Sequence, residues 1–476
     1  MPSKRDQLQS YQFLMQRVVS ALVVRETDPA QSPFRRAIGA IFASIMIAAI
    51  TLAGVTVYGF IRPGGSKDWQ DERRVIIESE TGATFVYFGG ELHPTLNFSS
   101  AALIAGTTQV ARVSHNSLAA APRGYTVGIP NAPDSLPRAR DLVGLPWALC
   151  SREQRTDAGD MVTSTVLFVG EQPENGQGLG DAALLVTESD TGDLYLIWRD
   201  YRYRIRNPEI VLPALGMGSV EPVPVDSAWL DALPSGVDLE RIPVPNRGEP
   251  ADIPGMDVVI GQVLVVNTPG AAPQYYLVLE DGIAPISEVQ AAIVISDPEN
   301  EEDSREVSAS AITSAPSSQR ELHPGNGPEQ APERTPSTAR IQAEEARVCA
   351  VYTSLEEPAE VLIDADVPQV DGLPTATQTE EGVVLADEVV VPPSGGAVVR
   401  SMASPNANDG PLYFVSDLGI RFPAAPEVLE MLGLPVDLAV ELPSSLVERI
   451  PVGPALNPAN ARQPAPSSEL PPSEQE

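Results

Sequence analysis

The apolar positions of this chain fall into three patterns. From Ala37 to Ile61 (AIGAIFASIMIAAITLAGVTVYGFI) 25 consecutive residues carry no charge. As a helix they span about 37 Å, enough to cross a hydrocarbon core of about 30 Å with some tilt. Lipid offers backbone amides no partners, so the helix is the expected state. Before this run, Leu8, Tyr11, Leu14 or Met15, Val18 and Leu22 recur every three or four residues, which predicts an amphipathic helix. Ser3 and Asp6 are placed as a capping box with Asp in the Glu position. After it, long periodicities disappear, and short apolar alternations broken by turn residues take over.

One such unit occurs twice. YLIWRDYRYRIRNPEIVLPALG runs from Tyr195 to Gly216, and YFVSDLGIRFPAAPEVLEMLG from Tyr413 to Gly433. Each reads as a β-hairpin followed by a two-turn helix with proline at its first position and glycine beyond its last. Asn207 is placed to cap the first of these helices. So short a helix is unstable alone and must pack on its hairpin. The segment ALPSGVDLERIPVP (232–245) is echoed by ELPSSLVERIPVG (441–453), which extends the likeness. Fainter copies lie at 85–106 and 275–296. With Phe85, Tyr195, Tyr276 and Tyr413 as equivalent anchors there are four units, and the order unit, cysteine, unit occurs twice. This predicts an α+β fold: a single N-terminal transmembrane helix, then a β-rich core with four small β-hairpin/helix repeat domains in two pseudo-symmetric halves. The core strands are expected around MVTSTVLFVG, AALLVTES, RVCAVYTS and AEVLIDADV.

The expected segments are 1–36, a cytoplasmic amphipathic stretch; 37–61, the span; 62–296, the first half and the start of the second; 297–340, a flexible insertion rich in Pro, Ser and Glu; 341–453, the remainder of the second half; and 454–476, a disordered acidic, proline-rich tail.

Charge sharpens this picture. The net charge is −33. Residues 1–36 hold six basic and three acidic side chains, whereas those after Ile61 hold 25 basic and 61 acidic. Arg35 and Arg36 precede the span, so the positive-inside rule places the N-terminus in the cytoplasm and the acidic bulk outside. That surface repels phosphate backbones and argues against nucleic acid as a partner. The apolar run is too long and starts too late for a cleaved signal peptide. The only cysteines are Cys150 and Cys349. In an oxidising exterior they are expected to pair across the halves, closing a loop worth about 5 kcal/mol on a chain-entropy estimate; two buried free thiols are the alternative.

Catalytic signatures are missing. The glycine-rich GEQPENGQGLGD (170–181) lacks the lysine of a phosphate loop and reads as a connection between strands. RPGGSKD (62–68) reads as a juxtamembrane linker. There is no G-x-S-x-G and no H-E-x-x-H. His93, His115 and His323 are scattered, and the two ELHP occurrences (91–94, 321–324) read as coincidence. No catalytic residue and no metal ligand is assigned.

The chain nevertheless resembles a known family. SKRDQLQSYQFLMQRVVSALV before a single span, IRPGGSKDW after it, ETGATFVYFGGELHPTLNFSSAALI, RGYTVGIPNAPDSLP, WALC and PVGPALNPANA stand in the order found in EccB, a core membrane component of the type VII (ESX) secretion machinery. The resemblance implies four repeat domains around a β-rich centre, with Cys150 and Cys349 matching the family's paired cysteines. It also implies assembly with EccC, EccD and EccE, and self-association, in the inner membrane, with the bulk of the chain periplasmic. A non-catalytic scaffold without cofactor is the expected role. An ATPase, with ATP as its ligand, and a cell-wall-binding module are the alternatives.

Overall fold

The computed structural model describes residues 3–24, 34–61, 67–155, 159–322, 332, 334–341, 346–368 and 374–466. His323, the juxtamembrane residues 62–66, parts of 323–345 and the last ten residues lie outside them.

The two N-terminal helices form as expected: α1 (Lys4–Val24) and α2 (Phe34–Ile61). The Ser3–Asp6 box is present in both directions. Within α2, residues Ile38–Tyr58 meet the length and apolarity needed to cross a membrane. Its hydroxyls are satisfied internally: Ser44 and Thr51 donate to carbonyls one turn back, at 2.8 and 2.9 Å, as does Thr56. That arrangement suits polar side chains in lipid.

The rest of the chain runs through one order twice. The first repeat holds β1 (Val75–Glu78), β2 (Thr84–Phe88), β3 (Glu91–Pro94), α3 (Phe98–Ala105), β4 (Val110–Val113) and α4 (His115–Leu118). Three central strands follow, β5 (Trp147–Arg155), β6 (Met161–Phe168) and β7 (Gln177–Gly178). The second repeat holds β8 (Ala183–Glu188), β9 (Leu194–Trp198), β10 (Tyr201–Ile205), α5 (Pro208–Ala214), β11 (Val223–Val225) and α6 (Ser227–Ala232). The other half begins with the third repeat: β12 (Val263–Val266), β13 (Gln274–Leu279), β14 (Gly282–Ile286), α7 (Glu288–Ser296), β15 (Arg305–Glu306) and α8 (Ala309–Ser314). Central strands β16 (Arg347–Tyr352), β17 (Glu360–Ile363) and β18 (Glu388–Val390) come next. The fourth repeat has β19 (Gly396–Met402), β20 (Leu412–Ser416), β21 (Arg421–Pro423), α9 (Pro426–Met431), β22 (Val440–Pro443) and α10 (Ser444–Val447), and α11 (Pro458–Ala461) lies beyond it.

Every repeat sheet has the strand order third, second, first, fourth. In the last three repeats the fourth strand returns parallel to the first. The register confirms the sequence anchors: Phe85, Tyr195, Tyr276 and Tyr413 face Pro94, Arg204, Pro285 and Pro423, the same place in each hairpin. The central sheet is ordered β18-β6-β5-β16-β17-β7. Exchanging the halves reverses this order onto itself, so a pseudo-twofold axis runs between β5 and β16. The edges break it, because β18 lies parallel to β6 and β7 antiparallel to β17.

The repeats pack in pairs. Val86, Ala101 and Ile104 of the first share a core with Phe414, Phe422 and Leu429 of the fourth. Ile210, Val211 and Leu215 of the second share one with Val289 and Ile293 of the third. Each linker leading into the central sheet lies against a repeat of the other half: the Val143 amide donates to the Gly396 carbonyl, and the Ala339 amide to that of Ala183.

Five sequence expectations need correction. AALLVTES opens the second repeat as β8 and is not part of the central sheet. The Asn207 side chain makes no cap bond; its backbone is left-handed at φ 52°. Residues 297–322 are no insertion. They supply β15 and α8, and with them the third copy of a gapless 13-residue motif: RVSHNSLAAAPRG (112–124), PVDSAWLDALPSG (224–236), EVSASAITSAPSS (306–318) and ELPSSLVERIPVG (441–453). The ERIPV echo noted in the sequence is nine residues out of this register. Small polar residues give 306–318 the composition of a linker, yet Val307, Ile312 and Ala315 pack on a core of Ile253, Leu264 and Ile283. Lastly, the tail begins later than composition suggests: Leu456 and Ala461 are buried, and Asn457 caps α11.

Candidate functional site

Cys150 and Cys349 stand directly opposite each other in β5 and β16, where the pseudo-axis passes, and their sulfurs are bonded. Their Cα atoms are 4.0 Å apart. Both residues are fully buried among Ala148, Val166, Phe168 and Val351. A thiolate needs access and positive charge to react; this pair has an apolar lining and serves as a staple between the halves.

Polar groups gather on either side of the staple. Arg152 and Arg347 face each other across β5 and β16. The Arg152 guanidinium donates to Ser164, the Pro368 carbonyl and Glu388. Asp387 accepts from both the amide and the hydroxyl of Thr165, at 2.7 and 3.1 Å. Nearby, Asp226 caps α6 by accepting the Ala228 amide. Burial, and then the charges of Asp387, Asp190 and Glu188, push its carboxyl up to about 6, against the opposing pull of the Ala228 bond. A second knot ties the second repeat to the fourth and to the centre. Asp231 lies 2.7 Å from Arg202 and 3.6 Å from Arg449, while the Ala232 carbonyl accepts from Tyr352 and Ser445. Burial lowers the Arg449 pKa and raises that of Tyr352. These carboxylates cap, brace and bridge.

The glycine-rich loop is accounted for by protein packing. A Cβ at Gly170 would stand 2.7 Å from Val143, at Gly176 2.9 Å from Leu362 and at Gly178 2.7 Å from the Glu360 carboxylate. β7 is bonded into the central sheet at Leu362 and Ile363. The cleft beside the loop, about 740 Å³, is lined by Glu171, Glu174 and Asp366, with Arg347 as its one cation among the described residues. Phosphates need amides and lysines turned toward them, and this lining is acidic.

Two of the three histidines, His93 and His115, lie among the described residues. His93 is buried in β3, stacked 3.9 Å from Phe88, with Nδ1 2.9 Å from the Tyr125 carbonyl. His115 opens α4 and its Nδ1 lies 2.6 Å from Glu78. Among the described residues no three His, Cys, Asp or Glu side chains group as metal ligands.

Sequence reasoning missed a feature present in all four repeats. A Pro-x-Gly or Pro-x-Ser tripeptide clasps the third strand of each sheet. The amides of Leu92, Arg202, Ile283 and Arg421 donate to the carbonyls of Pro122, Pro234, Pro316 and Pro451, at 2.8 to 3.0 Å. The carbonyls of those four strand residues accept from Gly124, Gly236, Ser318 and Gly453. The signal was the gapless spacing, hidden by the false ERIPV register.

Residues 1–466 match the family described as "Type VII secretion system ESX-1, transport TM domain B". The ESX-3 secretion system ATPase EccB3 of Mycolicibacterium smegmatis is 28% identical over 480 residues, 96% of this chain and 90% of that protein. The ESX-5 secretion system ATPase EccB5 of Mycobacterium tuberculosis is 33% identical over 303 residues, 61% of this chain and 58% of that one. Among solved structures, a chain of an intact ESX-5 inner membrane complex superposes with a TM-score of 0.62 at 27% identity, covering 100% of this chain and 98% of that one. A chain of the EccB3 dimer from an ESX-3 core complex shares the fold, with a TM-score of 0.61 at 24% identity over 82% of this chain and all of that one. A span-length helix, two halves closed by a cystine and four clasped repeats are thus found where a match over almost the whole chain is also found: the chain belongs to the EccB family of type VII secretion proteins.

Proposed function

We propose that this protein is a membrane-anchored, non-catalytic scaffold subunit of an ESX secretion complex. One observation carries the reading: the whole chain, from anchor to fourth repeat, superposes on a chain of an intact ESX-5 inner membrane complex. In this reading α2 lies in the inner membrane, residues 1–36 face the cytoplasm, and the acidic repeats stand outside, as the placement of Arg35 and Arg36 supports. α1 and α2 join the membrane part of the complex, with EccC, EccD and EccE as partners and further copies of this chain beside it. The repeats and their central staple give the assembly a rigid envelope portion.

The relatives carry the word ATPase in their names. Two features oppose its transfer to this chain: the loop that would cradle phosphate is packed against Val143, Leu362 and Glu360, and its cleft is acidic. The test is native electrophoresis of membranes containing a tagged chain, run beside ATP hydrolysis by the purified full-length protein. Co-migration with the other subunits and no turnover above a mock preparation are expected. A free monomer in membranes would overturn the scaffold, and turnover abolished by changing the 170–181 loop would establish the enzyme. A reporter after residue 466 found in the cytoplasm would overturn the topology.

A further inference from the structure

The first two repeats carry the same acidic turn. ESETG (78–82) follows β1, and ESDTG (188–192) follows β8. In each, the threonine hydroxyl donates to the glutamate, Thr81 to Glu78 and Thr191 to Glu188. In each, the serine amide donates to the last residue of the fourth strand, Ser79 to the Val113 carbonyl at 2.9 Å and Ser189 to that of Val225 at 3.0 Å. The turn is thereby set beside the cap of the motif's helix. What it meets there differs. The first repeat has Ser114 and then His115, whose Nδ1 lies 2.6 Å from Glu78 and whose amide donates to Glu80 at 2.8 Å. The second repeat has Asp226 and then Ser227. A carboxylate is added where the first repeat adds an imidazole.

The position of Asp226 makes that exchange costly. Its amide donates to the Ser151 hydroxyl at 3.1 Å. Ser151 stands opposite Thr165 in the β5–β6 ladder, and both are buried. Thr165 in turn holds the Asp387 carboxylate through its amide and its hydroxyl. Two aspartates from different elements therefore stand over one buried Ser–Thr pair of the central sheet, Asp226 from the second repeat and Asp387 from the approach to β18. Burial raises the Asp226 carboxyl, the Ala228 amide lowers it, and the charges of Asp387, Asp190 and Glu188 raise it further, to about 6. The neighbouring cation in β5, Arg152, is engaged by Ser164, the Pro368 carbonyl and Glu388. The other carboxylate of α6, Asp231, is held by Arg202 and Arg449. The helix does not require this charge, because Ser308 caps its counterpart in the third repeat. Displaced carboxyls of this kind gather at the working parts of proteins.

We propose that Asp226 and Asp387 form an acid-closed latch between the second repeat and the central sheet. With a proton on Asp226, a carboxylic acid faces a carboxylate and α6 seats against β5. Without it, two like charges stand together at a buried contact and the joint loosens. The closed joint binds the proton more tightly than the opened one, so its strength is full below about pH 4 and is lost as pH rises through about 6.

The test is amide exchange of the full-length protein in detergent at pH 5 and pH 7.5, corrected for the intrinsic effect of pH. Amides of 227–232 and 163–167 are expected to be about fivefold better protected at pH 5, while those of α3 and α7 stay the same. Asp226→Asn, and Asp226→Ser, which installs the cap residue of the third repeat, keep the higher protection at both pH values. Asp387→Asn can still accept both Thr165 bonds but removes the facing charge, and it should about halve the pH effect. The latch is overturned if the two native segments are equally protected at both pH values, or if the difference survives in both Asp226 variants. A rise shared equally by α3 and α7 also overturns it, since the proton would then stabilise the whole fold and not one joint.

Discussion

The third repeat closes its clasp differently from the other three, and the contrast explains what the clasp requires. In the first, second and fourth repeats the strand residue after the clasped one is a ring, His93, Tyr203 or Phe422, and the clasp ends in glycine. A Cβ added to Gly124, Gly236 or Gly453 would lie 2.2, 2.3 or 2.4 Å from the nearest atom of that ring. In the third repeat the strand residue is Ala284, and the clasp ends in Ser318. Where the ring is gone, the glycine is gone. None of the three glycines has a positive φ, so backbone freedom is not the reason for them. The two positions form one steric unit, an aromatic face lying flat on a bare Cα, and the small pair Ala284–Ser318 is its alternative solution.

Substitutions that put a methyl against the ring break this unit with the largest effect. Gly236→Ala and Gly453→Ala force Tyr203 and Phe422, both essentially buried, off their positions, and each is expected to lose about 3 kcal/mol by urea unfolding. Tyr203→Ala on its own leaves a cavity and costs a similar amount. Tyr203→Ala/Gly236→Ser rebuilds the third repeat's solution inside the second, so its loss should fall well short of the sum of the single changes. Strict additivity in that cycle would dissolve the unit into two independent positions.

The converse change is somewhat milder. Ala284→Phe places a ring where Ser318 stands and overpacks a fully buried site, for a loss of about 2 kcal/mol. Adding Ser318→Gly should recover about half of it. If Ala284→Phe is silent in a thermal melt, the third repeat has spare room, and the coupled reading of the four copies is wrong.

How much of this was legible beforehand follows from the range of the interactions. The membrane helix is a local demand of lipid on 25 residues, and it was plain. The hairpins were also local, and the anchors Phe85, Tyr195, Tyr276 and Tyr413 fall on equivalent register positions. The cystine was legible from the presence of only two cysteines, Cys150 and Cys349, together with the expected oxidising exterior. The clasp is tertiary. Ring and glycine are 31 residues apart in the first and fourth repeats and 33 in the second, and the third copy lacks both. Its other signature, an apolar residue followed nine positions later by proline, is written in Ala, Ser and Thr, which also compose linkers. The ERIPV echo misled for a related reason: its arginines do different work. Arg241 grips Asp297 beside the third repeat, whereas Arg449 is buried against Asp231 under the second.

The capping residue of the motif's helix separates the copies again, as Ser114, Asp226, Ser308 and Pro443. Only Asp226 titrates. Its carboxyl is raised to about 6 from an ordinary 3.8. The folded state therefore binds this proton more tightly than the unfolded state does, and stability is lost as pH rises from about 4 through 6. Asn keeps the cap acceptor and removes the charge. With partial solvent screening allowed for, Asp226→Asn should equal the native protein at pH 4 and exceed it by about 1 kcal/mol at pH 7.5. A variant less stable at both values would mean that the ionised carboxylate is needed, and that the second repeat's cap is not a tolerated burden.

The smallest effect discriminates best between the two explanations of the glycines. Ser318→Gly alone gives the third repeat the residue the other three use. If glycine were there for its backbone conformation, the substitution would relieve strain and stabilise the protein. If glycine is there only to admit a ring, it gains nothing above Ala284, while the substitution loses the bond that the Ser318 hydroxyl accepts from the Arg320 amide at 3.0 Å and frees the unfolded chain, for a net cost of about 0.5 kcal/mol. A gain, read from paired urea titrations at fixed pH, would assign the glycines to conformation and overturn the spatial reading. The φ values and the 2.2 to 2.4 Å approaches in the other copies both predict a loss.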